Sequence, residues 1–302
     1  MRVEQSQGGS LSRLCSLSGY SRQSYYKRSS RQENNVLKEE LIIQQVLGIR
    51  RLQPRIGGRK LFFLLLPFLQ LHHLELGRDA FFRMLGSYGL LIKRGRNKPR
   101  TTDSNHWLKK HPDLIRELVP TRSDELWVSD ITYLNLCHSD AFLSLVTDAY
   151  SRKIVGFHLS SNLKAEGCLQ ALQMAVAGRQ DTRGLIHHSD RGVQYCCEQY
   201  MHVLKDSGIS VSMTQSGDPR DNAIAERVNG ILKMELLEPV YADLETATDA
   251  VTNAINTYNY LRPHSSISML TPALVHGRKL KLRRCWKNNY SIKRVKEIIM
   301  DG

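Results

Sequence analysis

No CxxC pair occurs in this chain, and its six cysteines, Cys15, Cys137, Cys168, Cys196, Cys197 and Cys285, follow no regular spacing. That argues against a zinc knuckle and against a disulfide framework. Vicinal Cys196 and Cys197 read as ordinary buried thiols. No charged-then-apolar leader follows Met1, so secretion is not expected. Long apolar runs are missing too. The most hydrophobic stretch, LFFLLLPFLQL from Leu61 to Leu71, is about half the length a bilayer requires and is interrupted by Pro67, so it reads as a buried helix of a small domain.

Acidic residues are scarce at both ends of the chain. Residues 1–120 carry 22 Lys and Arg against 9 Asp and Glu, residues 121–280 carry 14 against 18, and residues 281–302 carry 7 against 2. The net charge of +14 favours a polyanionic partner, because Lys and Arg gain free energy by displacing counterions from phosphates. An acidic middle between basic ends suits DNA only where some of its carboxylates hold cations. A basic protein with a solvated acidic domain fits the charge equally well. The 302 residues suit a catalytic domain of about 150 residues with smaller attachments.

The pattern along the chain divides it into an all-α front and an α/β remainder. LSRLCSLSGYSRQSYYKR, from Leu11 to Arg28, has two apolar-periodic segments separated at Ser18-Gly19, with Ser21 placed to cap the second. This layout is a helix-turn-helix over 1–32. Its second helix would present Arg22, Gln23 and Lys27 to phosphates and base edges. Short helical pairs also occur in proteins that never touch DNA. A second helical region is expected over 33–100: an amphipathic helix at 35–53, two more helices, and a basic arm. In that arm Arg94 and Arg96 are spaced to lie on one side of an extended segment, for which a solvated linker is the plainer reading. A linker over 101–120 leads to a core at 121–278, followed by a basic tail at 279–302.

Within the core, LWVSDITYL, AFLSLVTD and KIVGFHL read as three successive strands bounded by turn residues. A helix at about 163–177, a strand LIHHSD, a helix at about 198–207, a strand ISVSM, and helices at about 222–237 and 244–260 complete the order. This is the order of an RNase H-like α/β fold, a mixed five-stranded sheet flanked by helices. Asp130 interrupts the first strand, Asp190 ends the fourth, and Glu226 lies in the helix after the fifth. An Asp inside LWVSDITYL is disfavoured by propensity and costly to bury unless a cation or donors compensate. Two Asp at neighbouring strand ends and a Glu from a packed helix can converge. Three hard oxygen ligands match Mg²⁺, with Mn²⁺ as substitute, and two such ions could activate a hydroxyl and stabilise a leaving 3′-oxygen.

Those same residues carry a family resemblance. HHSDRGVQY around Asp190 and DNAIAERVNGILKMEL around Glu226, with 35 residues between the two acids, resemble the integrase-type core of insertion-sequence transposases, whose DDE triad is shared with retroviral integrases. WVSDITYL, DAYSRKIVGF and YNYLRPHSSISMLTP are similar to further motifs of that family, in the same order. The resemblance spans about residues 120–278. It implies a DDE-type transposase, a polynucleotidyl transferase acting on double-stranded DNA at its own terminal inverted repeats and at a target. It also implies a homo-oligomer on DNA, located in the bacterial cytoplasm with the nucleoid and away from membranes. Asp130, Asp190 and Glu226 would be the catalytic and metal-binding acids. Asn229 and Lys233, three and seven residues beyond Glu226, share its helix face and are expected to approach DNA; a solvent-facing lysine is the plainer reading of Lys233. His188 and Arg191 are expected to support Asp190. Asp148 reads as a turn residue, and Asp221 as a helix cap. A DNA-binding regulator and a nuclease without strand transfer stand as rival readings; the first leaves the acids unexplained.

Overall fold

A computed structural model describes residues 11–92, 111–116, 118–179, 181–215, 222–278 and 280. The chain divides into two compact units, one of residues 1–52 and 57–92, the other of residues 53–56 and 93–302. No described helix is long and apolar enough to cross a membrane.

The first unit is helical. Helix α1 (Leu11–Leu17) ends at Gly19, whose φ of 72° suits only a residue without a Cβ, and α2 (Arg22–Leu52) begins with Ser21 Oγ accepting from the Ser24 N–H at 3.0 Å. The helix-turn-helix layout is present. Its second helix, however, continues for 31 residues, so the break expected near residue 32 falls inside one helix. SSRQENN carries neither Gly nor Pro, and nothing local stops propagation. Helix α3 (Gly58–Leu71) tolerates Pro67 and buries Leu61, Leu65 and Leu69 at four-residue spacing; α4 (Arg78–Ser87) adds Phe81, Met84 and Leu85. Phe62 and Phe81 stack at 5.3 Å between centroids. The run that opened as a membrane question is a core helix.

The second unit holds a mixed sheet. Strands β1 (Leu126–Leu136), β2 (Asp140–Asp148) and β3 (Ile154–Ser160) form an antiparallel meander, and β4 (Ile186–Ser189) and β5 (Ser210–Met213) add in parallel on the other side of β1, in the order β3-β2-β1-β4-β5. The RNase H-like order is therefore observed. Helices α5 (Ala165–Ala177), α6 (Val193–Cys196) and α7 (Glu198–Asp206) lie between β3 and β5 in the chain. After β5 come α8 (Ala223–Ile231), running on as a π-helical turn over Leu232–Leu236, then α9 (Leu244–Asn256), with a π-helical turn over Thr257–Leu261, and α10 (Pro272–His276). A sixth strand, β6 (Val240–Tyr241), pairs with Asn135 and Leu136 of β1, where five strands were expected. Two residues are too few to show a period.

The strand period of two sorts side chains to opposite faces. Trp127 and Val146 meet α5 and α7 through Ala171, Leu172 and Leu204, whereas Leu134, Leu143 and Leu145 meet α8 and α9 through Val228, Ile231 and Val251. Leu126, Val128 and Ala225 form a smaller cluster on the α8 side. Gly156 of β3 allows α5 its close approach: a Cβ there would stand 2.0 Å from the Ala171 carbonyl oxygen and 2.9 Å from Ala175 Cβ. Gly156→Ala is expected to destabilise the core by about 3 kcal/mol, at the upper end for overpacking. A thermal melt matching wild type would mean that α5 can lift off the sheet.

Candidate active site

Strands β1 and β4 run parallel with Val128 opposite His188, so Asp130 and Asp190, each two residues further on, project from neighbouring positions at one sheet end. Strand β4 stops at Ser189 and β6 joins β1 only at Asn135, which leaves the edge of β1 near Asp130 open on that side. Asp130 shares a face with Val128 and Thr132, and that face is covered by α8. Helix α8 delivers the rest of the group. Asn229 donates its amide N–H to Asp130 Oδ2 at 2.8 Å, and Lys233 Nζ donates to Thr132 Oγ1 at 3.3 Å. Glu226 is one turn back on the same side and is exposed.

Electrostatics couple Asp130 to the other two acids. Asp130 is pushed up from the ordinary 3.8 to about 7, first by desolvation and then by the negative charge of Asp190, with a smaller push from Glu226. The Ile131 N–H and the Asn229 amide, which favour the charged form, only partly offset this. Asp130 thus feels the negative charge of both other acids. The donor set of the three is entirely hard oxygen, which fits a divalent cation that would replace mutual repulsion by attraction.

Supporting contacts lie below. Asp190 Oδ1 accepts from the Gly192 N–H at 2.9 Å, so the turn beginning at Arg191 aims the carboxylate, while Arg191 Nη2 donates to Gln215 Oε1 at 3.1 Å. His188 is fully buried, with Nδ1 2.8 Å from Ser212 Oγ on β5. His187, also buried, holds Nε2 2.7 Å from Ser129 Oγ and 2.9 Å from the Tyr200 hydroxyl. Burial and the neighbouring His188 push His187 down to about 3, so it is a neutral hydrogen-bonding post between β1, β4 and α7.

Asn229, expected to approach DNA, is 6% exposed and has its amide on Asp130. Arg22, Gln23 and Lys27 are exposed in the first turns of α2. Arg94, Arg96 and Asp221 lie outside the described residues. The N-cap position of α8 is Asn222, whose side chain makes no cap but donates from Nδ2 to the Ser129 carbonyl at 2.9 Å, tying the helix start to β1 beside Asp130. Sequence reasoning missed Asn222, Thr132 and Ser129. Their one signal was position: each lies within four residues of a candidate acid.

A second cluster needs separating from this one. Asp124, Asp148 and His276 have potential ligand atoms within 4.8 Å of one another. Their charges are already met, because Asp148 accepts from the Asp124 N–H at 2.6 Å and from the Ser151 N–H and hydroxyl at 2.7 and 2.5 Å, and Asp124 accepts from Trp127 Nε1 at 3.0 Å and pairs with Arg179. Arg179 is a counter-charge of Asp124, and His276 approaches both acids, at 3.4 Å from Asp124 and 3.7 Å from Asp148. Asp148 is thus the turn residue its sequence context suggested, inside a network that pins the ends of β1, β2, α5 and α10 together.

The family described as Integrase core domain matches residues 120–219 and, through a second profile of the same description, residues 207–272. An insertion element IS600 uncharacterized 31 kDa protein of Shigella sonnei is 30% identical over 86% of this chain and 96% of its own. A putative transposase for insertion sequence element IS986/IS6110 of Mycobacterium tuberculosis is 32% identical over 68% of this chain and 76% of its own. Among solved structures, the HTLV-2 integrase catalytic core in complex with magnesium is similar at 19% identity and a TM-score of 0.41, covering 53% of this chain and 99% of its own. With family models of this description and relatives of this extent, the chain belongs to the insertion-sequence transposases built on an integrase core.

Proposed function

We propose that this chain cuts DNA at the ends of its own insertion sequence to expose a 3′-hydroxyl, and joins that end to a phosphodiester of target DNA. The observation that supports the reading is Asp130 itself, bonded to Asn229 of the helix that carries Glu226 and acted on by the charges of Asp190 and Glu226. The three acids would hold Mg²⁺, or Mn²⁺ as substitute, as two ions. When bound, the ions supply Lewis-acid activation of the attacking oxygen and charge neutralisation at the leaving 3′-oxygen. Asn229 keeps the Asp130 carboxylate in one orientation. Lys233, next to Thr132 on the same face, offers an ammonium to the phosphate beside the scissile bond. In each step an oxygen of water or of a 3′-end bonds to phosphorus as the bond to the leaving 3′-oxygen breaks, and one proton passes from nucleophile to solvent. Exposed Arg22, Gln23 and Lys27 read the terminal repeats. His188 and Arg191 support Asp190, and Arg94 and Arg96 follow the DNA backbone. Two chains or more bring two ends together.

The test is a joining assay. Purified chain with Mg²⁺ or Mn²⁺ and labelled duplexes carrying the element's ends should yield both nicked and joined products. Nicked product alone would favour the nuclease reading. Cation binding also carries a pH signature. Because Asp130 titrates near 7, above its ordinary 3.8, cation binding at pH 6 must expel about one proton, while at pH 8.5 the carboxylate is already ionised and none is released. Apparent affinity therefore weakens as pH falls below 7. Calorimetry in buffers of different ionisation enthalpy measures this, and pH-independent proton release would remove Asp130 from the ligand set.

A further inference from the structure

Of the five residues that connect α2 to α3, the first four, Gln53-Pro54-Arg55-Ile56, belong to the catalytic unit although the helices on either side belong to the helical one. The Ile56 N–H donates to the Gln53 carbonyl at 3.2 Å, closing a turn in which Pro54 presets the backbone angle before Arg55. Gln53 and Ile56 are 4% and 1% exposed, so the turn is embedded. Arg55 is thereby presented in one orientation at low entropic cost.

Arg55 meets the far end of the helix that carries Glu226. Its backbone N–H donates to the Glu235 carbonyl at 3.1 Å, and Nη2 donates to the Lys233 carbonyl at 3.4 Å and to the Leu237 carbonyl. Carbonyls of a last helical turn have no partner within the helix, and they carry the negative end of its dipole. A π-helical turn, here Leu232–Leu236, adds wide geometry that a single backbone cap does not close. One residue thus answers three carbonyls with donors and places a cation at the end of the dipole. The Glu235 side chain is gripped independently, by Arg262.

We propose that Arg55 is a positioning residue for the reaction: by clamping the carboxyl end of the Glu226 helix, it sets that helix along and about its axis, and so aligns Glu226 and Asn229 with Asp130. The helix is short and stiff, so a slip at Lys233–Leu237 is carried undiminished to Glu226, two to three turns away. Arg55 lies outside the residues matched by the integrase core, 120–272, and the local sequence QPRIGG gives no hint of a catalytic partner. The consequence for catalysis rests on the function proposed above; the clamp itself does not.

The experiment compares full-length wild type, Arg55→Met and Arg55→Lys. Amide exchange over residues 232–238 should quicken about tenfold in Arg55→Met, the scale of a lost charge-assisted cap. The joining rate at saturating DNA should fall about tenfold with half-saturating DNA unchanged, and the Mn²⁺ concentration for half-maximal rate should rise several-fold, with Arg55→Lys intermediate in all three. Quicker exchange with wild-type rate and cation dependence would reduce Arg55 to a stability cap and overturn the proposal. Unchanged exchange would overturn it at the first step, and a raised half-saturating DNA with an unchanged rate would make Arg55 a DNA contact instead. Should Arg55→Met not fold, Arg55→Lys carries the same comparison. If wild type itself joins nothing, the transposition reading fails, while exchange and calorimetric Mn²⁺ affinity still decide the clamp.

Discussion

Asp190→Asn is expected to fold normally and bind DNA, while strand cleavage and strand joining both fall about a thousandfold or more. The substitution is isosteric. The Oδ1 of Asn can still accept from the Gly192 N–H, the 2.9 Å bond that holds the turn after β4, so the local backbone has no reason to move. What disappears is one negative charge from the group that would hold divalent cations in the proposed reaction. An amide oxygen is a weaker ligand for a hard cation than a carboxylate. The loss should extend to both reactions together, because water and a 3′-hydroxyl are activated in the same way. A second consequence follows from the charges themselves: without Asp190 the Asp130 carboxyl loses its largest charged neighbour, and its titration should move down from about 7 toward the ordinary range. Joining activity within tenfold of wild type would sink the assignment of Asp190. Loss of joining alone, with cleavage intact, would sink the idea of one site for both steps.

Glu235→Ala is expected to cost about 3–5 kcal/mol, the scale for removing one partner of a buried ion pair. Arg262 is 1% exposed and donates to both Glu235 oxygens, Nε at 2.9 Å and Nη2 at 2.9 Å, with its guanidinium 5.9 Å from the centre of the Tyr258 ring. Without Glu235 the guanidinium is left with a ring face and no counter-charge, and water cannot reach it. The pair joins the end of the Glu226 helix to the turn YNYLRPH, so its loss should loosen the same helix end that Arg55 holds. Thermal unfolding should show a fall of about 10 °C for a unit of this size. Glu235→Leu combined with Arg262→Met should regain much of the stability, since two apolar side chains leave no orphaned charge. A Glu235→Ala melt within about 1 °C of wild type would mean that solvent reaches Arg262 after all.

Much of the core was legible residue by residue. LWVSDITYL alternates at the strand period, and its Asp stands out because burial penalises it; both facts are local. The turn role of Asp148 was readable for the same reason, since an Asp can satisfy backbone N–H groups two or three residues away without help from the rest of the fold. The break between α1 and α2 at Gly19 was readable from its backbone freedom, but the continuity of α2 past residue 32 was not given its weight. The partner of Asn229 was not readable because a shared helix face says which residues point together, and not what they will meet. Facing Asp130, the amide found a carboxylate to bond rather than open solvent.

Local composition and period were sufficient to specify the order of strands and helices, the basic ends, and the oddity of an Asp inside the apolar first strand, because each of these is decided by neighbours a few residues away. Convergence was not. Asp130 feels the charges of Asp190 and Glu226 only because β4 docks parallel to β1 in one register and α8 crosses the same face, choices made by the packing of Val128, Ala225 and Val228. The Arg55 clamp and the Glu235–Arg262 pair belong to the same kind. They join positions 178 and 27 residues apart, and no period along a chain encodes a partner at such a distance; closure of the core around apolar side chains brings them together, and burial then gives their hydrogen bonds their strength.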